Sequence, residues 1–353
     1  MPRCGSQVVL CDYPVRFDTY SGCTHNCSYC FARRGIDISK VRLDESPVTL
    51  RNWIKGERNV ETNWCDWDIP LHWGGMSDPF QPCERKHRVS LECLKVFAET
   101  GYPFIFSTKG VLLLEREYVH LIKQSNCVAQ ISLISKAVAE SDETGAPSYE
   151  TRLRMIQMMS AVCKRVIVRI QPYRLKDEDD VLKHTLKDVS EAGAYGVIVE
   201  GMKFFESSLV LPRERNELIK LGAERVFRLS LLQSSILRLR AAARSLKLRF
   251  YVGENRLRFL GDSVSCCGAD GLEGFTSNRA NLNHVLLGDL HFTPAQKEPH
   301  TCTCFKTLAQ ETHVGRMSID WSYEKMMNLA FRCRNVVEIM GVVEETKSLG
   351  VLL

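Results

Sequence analysis

Between residues 17 and 252 the chain alternates short apolar runs with longer amphipathic stretches, and this rhythm restricts the fold more than any other feature. The runs at 17–21, 69–74, 103–108, 128–134, 165–170, 196–200 and 248–252 are rich in β-branched or aromatic residues, as strands are. The stretches at 87–100, 115–124, 149–163, 178–192, 214–221 and 231–246 carry apolar residues at three- and four-residue steps, which predicts helices. Strands and helices alternating at this spacing read as βαβ units on a parallel sheet, either open or closed into a barrel. Beyond about residue 255 the rhythm stops. There the sequence holds Gly, Asn, His and several cysteines, then one helix-like stretch at 323–333. The expected organisation is a core over 1–254 and a C-terminal extension over 255–353 packed on it. No repeat, low-complexity tract or Pro- or Ser-rich linker interrupts the chain.

Composition narrows the setting. Hydrophobic residues are 44% and charged residues 25% of 353, which suits a globular protein and argues against long disorder. No apolar run approaches bilayer length, and the opening MPRCGSQVVL lacks a signal peptide's charged head and apolar stretch. A cytoplasmic protein without membrane contact is expected. Fifteen cysteines are many for this length, and an odd total argues against a disulfide framework. In a reducing compartment such thiols are buried, metal-binding or catalytic. The net charge of +5 is modest but uneven. Residues 208–260 hold 12 Lys/Arg against four acids, so this segment is +8 and the remainder −3. Arg240 and Arg244, four apart, share a helical face with Lys247 close by. Such a stripe near a barrel mouth suits a polyphosphate backbone, or is simply a solvated helix face.

One cysteine group stands out. Cys23, Cys27 and Cys30 form C-x3-C-x2-C directly after the first candidate strand. Three thiolates so close on a loop suit an Fe–S centre or zinc. Zinc would want a fourth ligand, which His25 offers, whereas three cysteines leave one iron of a cubane open. Three buried thiols are the bland alternative. Tyr29 immediately precedes the third cysteine, and with it the motif resembles that of the radical S-adenosylmethionine (radical SAM) superfamily, C-x3-C-x-aromatic-C. The resemblance implies a partial (β/α)6 barrel with a [4Fe–4S] cluster at the C-terminal ends of its strands. It further implies that the open iron binds SAM and that one electron cleaves SAM to a 5′-deoxyadenosyl radical. A flavodoxin- or ferredoxin-type donor would supply that electron.

Matches continue for about 150 residues beyond the cysteines. They are His72 to Pro82 (HWGGMSDPFQP) with Glu84, then Ser107-Thr108-Lys109, Arg116-Glu117 and Ile131-Ser132. Ala146-Pro147, Arg152-Leu153 and Arg169-Ile170-Gln171-Pro172 complete them. Together they resemble the spore photoproduct lyase-like branch, also called DNA repair photolyase-like. By that resemblance Gly74 and Gly75 form the turn that holds the SAM amino group, though they would equally serve as a plain strand-to-loop turn. Ser77, Lys109 and Ser132 match SAM-contacting positions, or else are an ordinary surface lysine and hydroxyls. Arg169 meets the SAM carboxylate or the substrate, or is solvated.

One departure matters. The branch carries a hydrogen-donating cysteine where this chain has Gly75. Cys266 and Cys267 are the candidate replacements. Together with Cys302, Cys304 and Cys333 they also form a candidate auxiliary metal site, while ordinary buried thiols remain open. Cys4, Cys11, Cys65, Cys83, Cys93, Cys127 and Cys163 are read as buried and inert. The resemblance favours DNA or a nucleotide as substrate, thymine or a derivative of it, with a lyase or isomerase outcome in repair or base hypermodification. Radical chemistry on a peptide or small metabolite is one alternative. A non-catalytic zinc nucleic-acid-binding module is the other.

Overall fold

Seven parallel strands follow one another across the main sheet in chain order, with an antiparallel strand at one edge. In the computed structural model they are β1 (Arg3–Cys4), β2 (Val15–Phe17), β3 (Leu71–Trp73), β4 (Phe104–Thr108), β5 (Cys127–Ser132), β6 (Arg165–Tyr173), β7 (Gly196–Gly201) and β8 (Arg249–Val252). β1 is the antiparallel one, paired with β2. The structure describes residues 1–4, 11–34, 36–59, 61–62, 65, 67–205, 216–221, 224–279, 281 and 283–284. The expected stretch at 323–333 lies outside them, as do Cys302, Cys304 and Cys333.

Because every crossover steps the same way, the helices gather on one face and the sheet curls around the other. Among the described residues β8 pairs only with β7, so the barrel stays incomplete, as the resemblance implied. The helices include α1 (Pro47–Ile54), α2 (Val89–Thr100), α3 (Arg116–Gln124), α4 (Lys136–Asp142), α5 (Tyr149–Ser160) and α6 (Leu229–Ser245). Between β6 and β7, Glu178–Asp180 and Leu186–Glu191 are joined by a π-helical turn at Val181–Thr185. None of the helices among the described residues is long and apolar enough to cross a membrane.

Side-chain alternation along the strands separates two environments. Phe104, Phe106, Ala129, Ile131, Val166, Val168, Val197, Val199, Phe250 and Val252 join the outer core, with Leu94 and Phe97 of α2, Ile156 of α5 and Leu232 and Ile236 of α6. Ile105, Val128, Ile167, Ile198 and Tyr251 instead form a smaller inner cluster with Tyr13, Cys267, Ala269 and Phe275. One step toward the C-terminal strand ends, the inward positions turn polar: Ser107, Gln130, Arg169 and Glu200. The lumen therefore has an apolar floor and a polar upper wall.

Residues past β8 build much of that floor. After a short 3-10 helix (Asn255–Leu260), the Cys267 carbonyl accepts from Gln130 Nε2 at 3.2 Å and the Gly268 carbonyl from Arg165 Nη1 at 3.0 Å. The strap then reaches the N-terminal segment, where Tyr13 Oη donates to the Phe275 carbonyl (3.3 Å) and Asn278 N to the Asp12 carbonyl (2.7 Å).

Three expectations change. Of the helix expected at 214–221, only 216–217 are helical among the described residues, and Leu218–Leu221 is a strand in a small sheet with Phe204–Phe205 and Glu224–Phe227. Leu218 is buried while Ile219 and Lys220 are exposed, and pairing with Glu224–Phe227 satisfies the backbone that a helix would otherwise satisfy. A window of eight residues is too short for its apolar spacing to separate the two. The first expected strand divides: β2 ends at Phe17, and Tyr20–Ser21 pairs away from the main sheet with Arg42–Leu43. Within the basic segment, the Arg240 and Arg244 pair is not a free stripe at the barrel mouth. Arg244 Nε and Arg240 Nη2 share Asp262 Oδ1 at 3.0 and 3.7 Å, and Asp262 Oδ2 accepts from Phe250 N near the N-terminal end of β8. That end is opposite the mouth. Arg256 is buried against Glu254 (2.8 Å), Arg258 is buried, and Arg238 pairs with Glu178.

Candidate active site at the barrel mouth

The Cys23–Cys30 loop leaves the C-terminal side of β2 and is braced from three sides. Ser77 Oγ and Gln81 Nε2 both donate to the Gly22 carbonyl, at 2.5 and 3.2 Å, and Gln81 Oε1 accepts from Thr24 N at 2.8 Å. Ser28 N donates to the Asp142 carbonyl at the end of α4 (2.9 Å). Arg33 Nε and Nη2 donate to the Cys27 and Asn26 carbonyls at 3.2 and 3.1 Å. Gly145 lies so close that a Cβ there would sit 2.6 Å from the His25 carbonyl.

His25 is a brace too. Its Nδ1 faces the Gly145 carbonyl and its Nε2 faces Asp78 Oδ2, each at 3.1 Å. Both ring nitrogens are taken, so His25 does not offer the fourth zinc ligand considered from spacing. Asp78 is the hub of the mouth. It also accepts from Lys109 N (2.6 Å), Thr108 Oγ1 (2.7 Å) and Phe80 N (2.9 Å), locking the loop after β3 onto the end of β4. Opposite charge and these donors hold its carboxyl low despite complete burial.

The three thiols lie inside this frame, with Cys27 buried and Cys23 and Cys30 half-buried. Burial pushes Cys23 up to about 12, with the Asp78 charge adding to it, although the His25 and Asp78 backbone N–H groups point at its sulfur. Burial also raises Cys27, and Lys109 acts against it. Without a compensating cation these thiols keep their protons. A cluster iron would supply that positive charge in the proton's place, so Cys23, Cys27 and Cys30 fit as the residues that would hold a [4Fe–4S] group. Among the described residues no three His, Cys, Asp or Glu side chains converge as the ligands of one ion do. A cubane does not require that, because its ligands sit on separate irons.

Beside the thiols, Tyr29 and Lys109 share Glu143. Tyr29 Oη donates to its carboxylate, Lys109 Nζ lies 3.6 Å from Oε1, and Arg152 Nη1 lies 2.6 Å from Oε2. Lys109 also stands 5.8 Å over the Tyr29 ring. Burial depresses the Lys109 ammonium more than any one neighbour raises it, but Glu143, Cys27 and Asp78 together outweigh burial, so the lysine stays charged.

The inner wall carries one continuous polar ladder. Ser107 Oγ pairs with His72 Nε2 and donates to Gln130 Oε1, each at 2.9 Å. Arg169 Nη1 donates to Gln130 Oε1 at 2.7 Å and its Nε to Gln171 Oε1 at 3.1 Å. Gln171 Nε2 then reaches Glu200 Oε2, and Lys203 Nζ reaches Glu200 Oε1, both at 2.7 Å. Burial first, then Arg169 and Arg16, hold His72 down to about 3, so it is neutral.

No family model matches the chain. Uncharacterized proteins of Mycobacterium tuberculosis and Mycobacterium bovis are each 28% identical to it over 206 residues, 54% of this chain. The chain spans about three fifths (59%) of the length of these curated relatives. Among solved structures, spore photoproduct lyase complexed with dinucleoside spore photoproduct superposes with a TM-score of 0.54 at 15% identity, covering 68% of this chain and 76% of that one. A double mutant of the same enzyme with bound AdoMet and dinucleoside spore photoproduct gives the same four values. The fold is the radical SAM partial barrel.

On that barrel the residues expected to hold SAM fall into two groups. Tyr29, Gly74, Ser77 and Lys109 gather around the cysteine loop at the mouth. Gly74 has φ +86°, and a Cβ on it would lie 2.4 Å from the Ser107 carbonyl, so this turn admits glycine alone. Ser77 spends its hydroxyl on the Gly22 carbonyl and positions the loop. Gly75 sits against the Arg16 side chain. Ser132, the last residue of β5, and Arg169 are partners in the β5–β6 register, and Arg169 is part of the ladder rather than solvated.

Cys266 is half-buried, whereas Cys267 is buried in the inner cluster with Tyr13 and Tyr251. Sequence reasoning missed Glu143, Asp78 as a hub, and Gln130 and Glu200. Asp78 and Arg152 lie within matched motifs, but nothing in the sequence singles out Glu143, which ends α4 and gains its role only by folding against Lys109.

Proposed function

We propose that the protein is a radical SAM enzyme whose substrate is a nucleic-acid base or nucleotide, thymine or a derivative of it. The observation that carries the reading is the three-cysteine loop, braced on the mouth of a radical SAM barrel above a lumen with polar walls. When bound, a [4Fe–4S] cluster on Cys23, Cys27 and Cys30 would supply the electron that cleaves SAM to a 5′-deoxyadenosyl radical. The protein's part is to bind, orient and shield. Lys109, kept cationic by Glu143, suits the SAM carboxylate. The Gly74 turn brings backbone close to the mouth without a side chain. Ser132 and Arg169 line the route into the lumen, where the Gln130–Arg169–Gln171–Glu200 ladder offers donors and acceptors to a base edge.

The nucleobase assignment rests on the likeness to spore photoproduct lyase, whose structures hold a dinucleoside spore photoproduct. Reaching an atom stacked in a duplex requires an extruded base or a single strand. A lyase or isomerase outcome follows from the same likeness, and a flavodoxin- or ferredoxin-type donor fits the one-electron step. The test is anaerobic reconstitution with iron, sulfide, SAM and a reductant, then incubation with a thymine-containing oligonucleotide and mass analysis of its nucleosides. A reductant-dependent mass change in a thymine nucleoside is expected. Unaltered nucleosides alongside continued SAM cleavage would exclude this substrate and leave a peptide or small metabolite.

A further inference from the structure

His72 sits in β3 between Leu71 and Trp73, whose side chains lie in the outer core, so its own ring faces the lumen, where it is half-buried. Its neighbour across the β2–β3 register is Arg16. His72 Nε2 meets Ser107 Oγ at 2.9 Å, and the same hydroxyl lies 2.9 Å from Gln130 Oε1 and 3.1 Å from Arg169 Nη1.

The protons around Ser107 fix the tautomer of the histidine. Gln130 Nε2 donates to the Cys267 carbonyl at 3.2 Å, and Arg169 Nη1 donates to Gln130 Oε1 at 2.7 Å, so the amide is turned one way only. Two oxygens 2.9 Å apart repel unless a hydrogen lies between them, and Gln130 Oε1 has none to give. Ser107 therefore gives its single proton to Gln130. The contact from Arg169 brings its own hydrogen. The remaining contact needs a proton from the imidazole, which places the N–H on Nε2 and leaves Nδ1 of the neutral ring bare. No described residue donates to Nδ1. Nor is it one of the polar atoms sealed in the interior without a partner, so it opens to the lumen.

The charge beside it selects what approaches. Arg169 is held by neutral oxygens, those of Ser107, Gln130 and Gln171, and no described carboxylate pairs with it. Its charge and that of Arg16 keep the buried imidazole neutral. The same cations repel an ammonium and admit a neutral N–H. An imide N–H suits the place best, because the carbonyl oxygens on either side of it are stabilised by a nearby guanidinium.

We propose that His72 is a specificity-determining residue, whose Nδ1 accepts the imide N–H of a thymine-type base while Arg169 favours the flanking carbonyl oxygens. The proposal rests on the nucleobase reading above and adds a selection to it. A base methylated at that nitrogen, or a cytosine-type base with a bare acceptor there, leaves Nδ1 facing no donor. A site built around a hydrogen bond rejects the analogue that lacks it, since a polar atom is left unpaired.

The test uses the full-length protein, reconstituted with iron and sulfide and supplied with SAM. Its probes are thymidylyl-thymidine and the same dinucleotide methylated on N3 of both bases, titrated anaerobically by calorimetry. Methylation should weaken binding by at least about tenfold in the wild type, a comparison that needs no variant. In His72→Phe, which keeps a ring but no acceptor, the two probes should bind within about twofold of each other. Steric rejection of the methyl group would persist in that variant. Nitrogen-15 labelled histidine reports the tautomer separately: near neutral pH, the ring signal that His72→Phe removes should show a protonated Nε2 and a bare Nδ1. A protonated Nδ1, equal binding of the two probes by the wild type, or undiminished discrimination in a natively folded His72→Phe would each overturn the role of His72 and leave the nucleobase reading standing. Binding of neither probe by the wild type would overturn both.

Discussion

Glu143 holds two cations at the mouth, and its removal is the most informative single change there. Burial alone would raise its carboxyl, but Lys109 and Arg152 outweigh burial and hold it below the usual range. Glu143→Gln leaves both cations buried without their charge partner, and about 3–5 kcal/mol of stability should be lost in urea unfolding near neutral pH. A lowered carboxyl stabilises the fold above its unfolded value and loses that contribution as pH falls through the folded one. Asp18 behaves oppositely. Burial, only partly offset by Arg16, raises it to about 7 from 3.8. Its contribution is therefore complete below pH 4 and lost as pH rises through about 7, on the order of 4 kcal/mol. Asp18→Asn should flatten the wild-type decline in stability between those limits, measured by chemical denaturation across pH. A decline unchanged in the variant would place the titration elsewhere. Tyr29 and Lys109 were singled out in the sequence because motif positions mark them. Glu143 and Asp18 were not, since their importance comes from burial beside charges distant in sequence.

At the scale of elements, the loop after β3 does what its glycine step suggests. Gly74→Ala would put a Cβ against the Ser107 carbonyl at a positive φ, so a loss of about 1–3 kcal/mol is expected in thermal or urea melting. Since Asp78 and Ser77 follow within four residues, the same variant should also bind less iron on reconstitution. Wild-type stability and iron content together would show that the turn tolerates a side chain. The parallel strands of the main sheet were legible because each is short, apolar and bounded by polar turns, whereas the antiparallel edge strand Arg3–Cys4 was not. The helix α4 was not, because KAVAESD is brief and its partners are distant. The 214–221 segment failed for a related reason: its structure is decided by pairing with Glu224–Phe227, which local periodicity does not encode.

Across the whole molecule, the parallel sheet was readable from seven apolar runs and its partial-barrel form from the motif resemblance, whereas the strap that fills its floor was not. The strap is polar and irregular, and it is held by contacts to residues more than 100 positions away, such as Gln130 and Arg165. Charge misled in the same way, because a count of basic residues does not show which are already paired. With Arg240 and Arg244 on Asp262 away from the mouth, Arg240→Ala plus Arg244→Ala should leave oligonucleotide affinity and its salt dependence nearly unchanged in filter binding. A slope reduced by about one unit for each arginine would mean that both contact phosphates. The central claim is the radical SAM assignment itself. It is tested most directly by measuring 5′-deoxyadenosine formed from SAM by the reconstituted, reduced protein, beside Cys27→Ala treated identically. The account predicts about four irons per chain and reductant-dependent 5′-deoxyadenosine from the wild type. It predicts neither from the variant. A wild type that holds no iron, or a variant that cleaves SAM equally well, would contradict it.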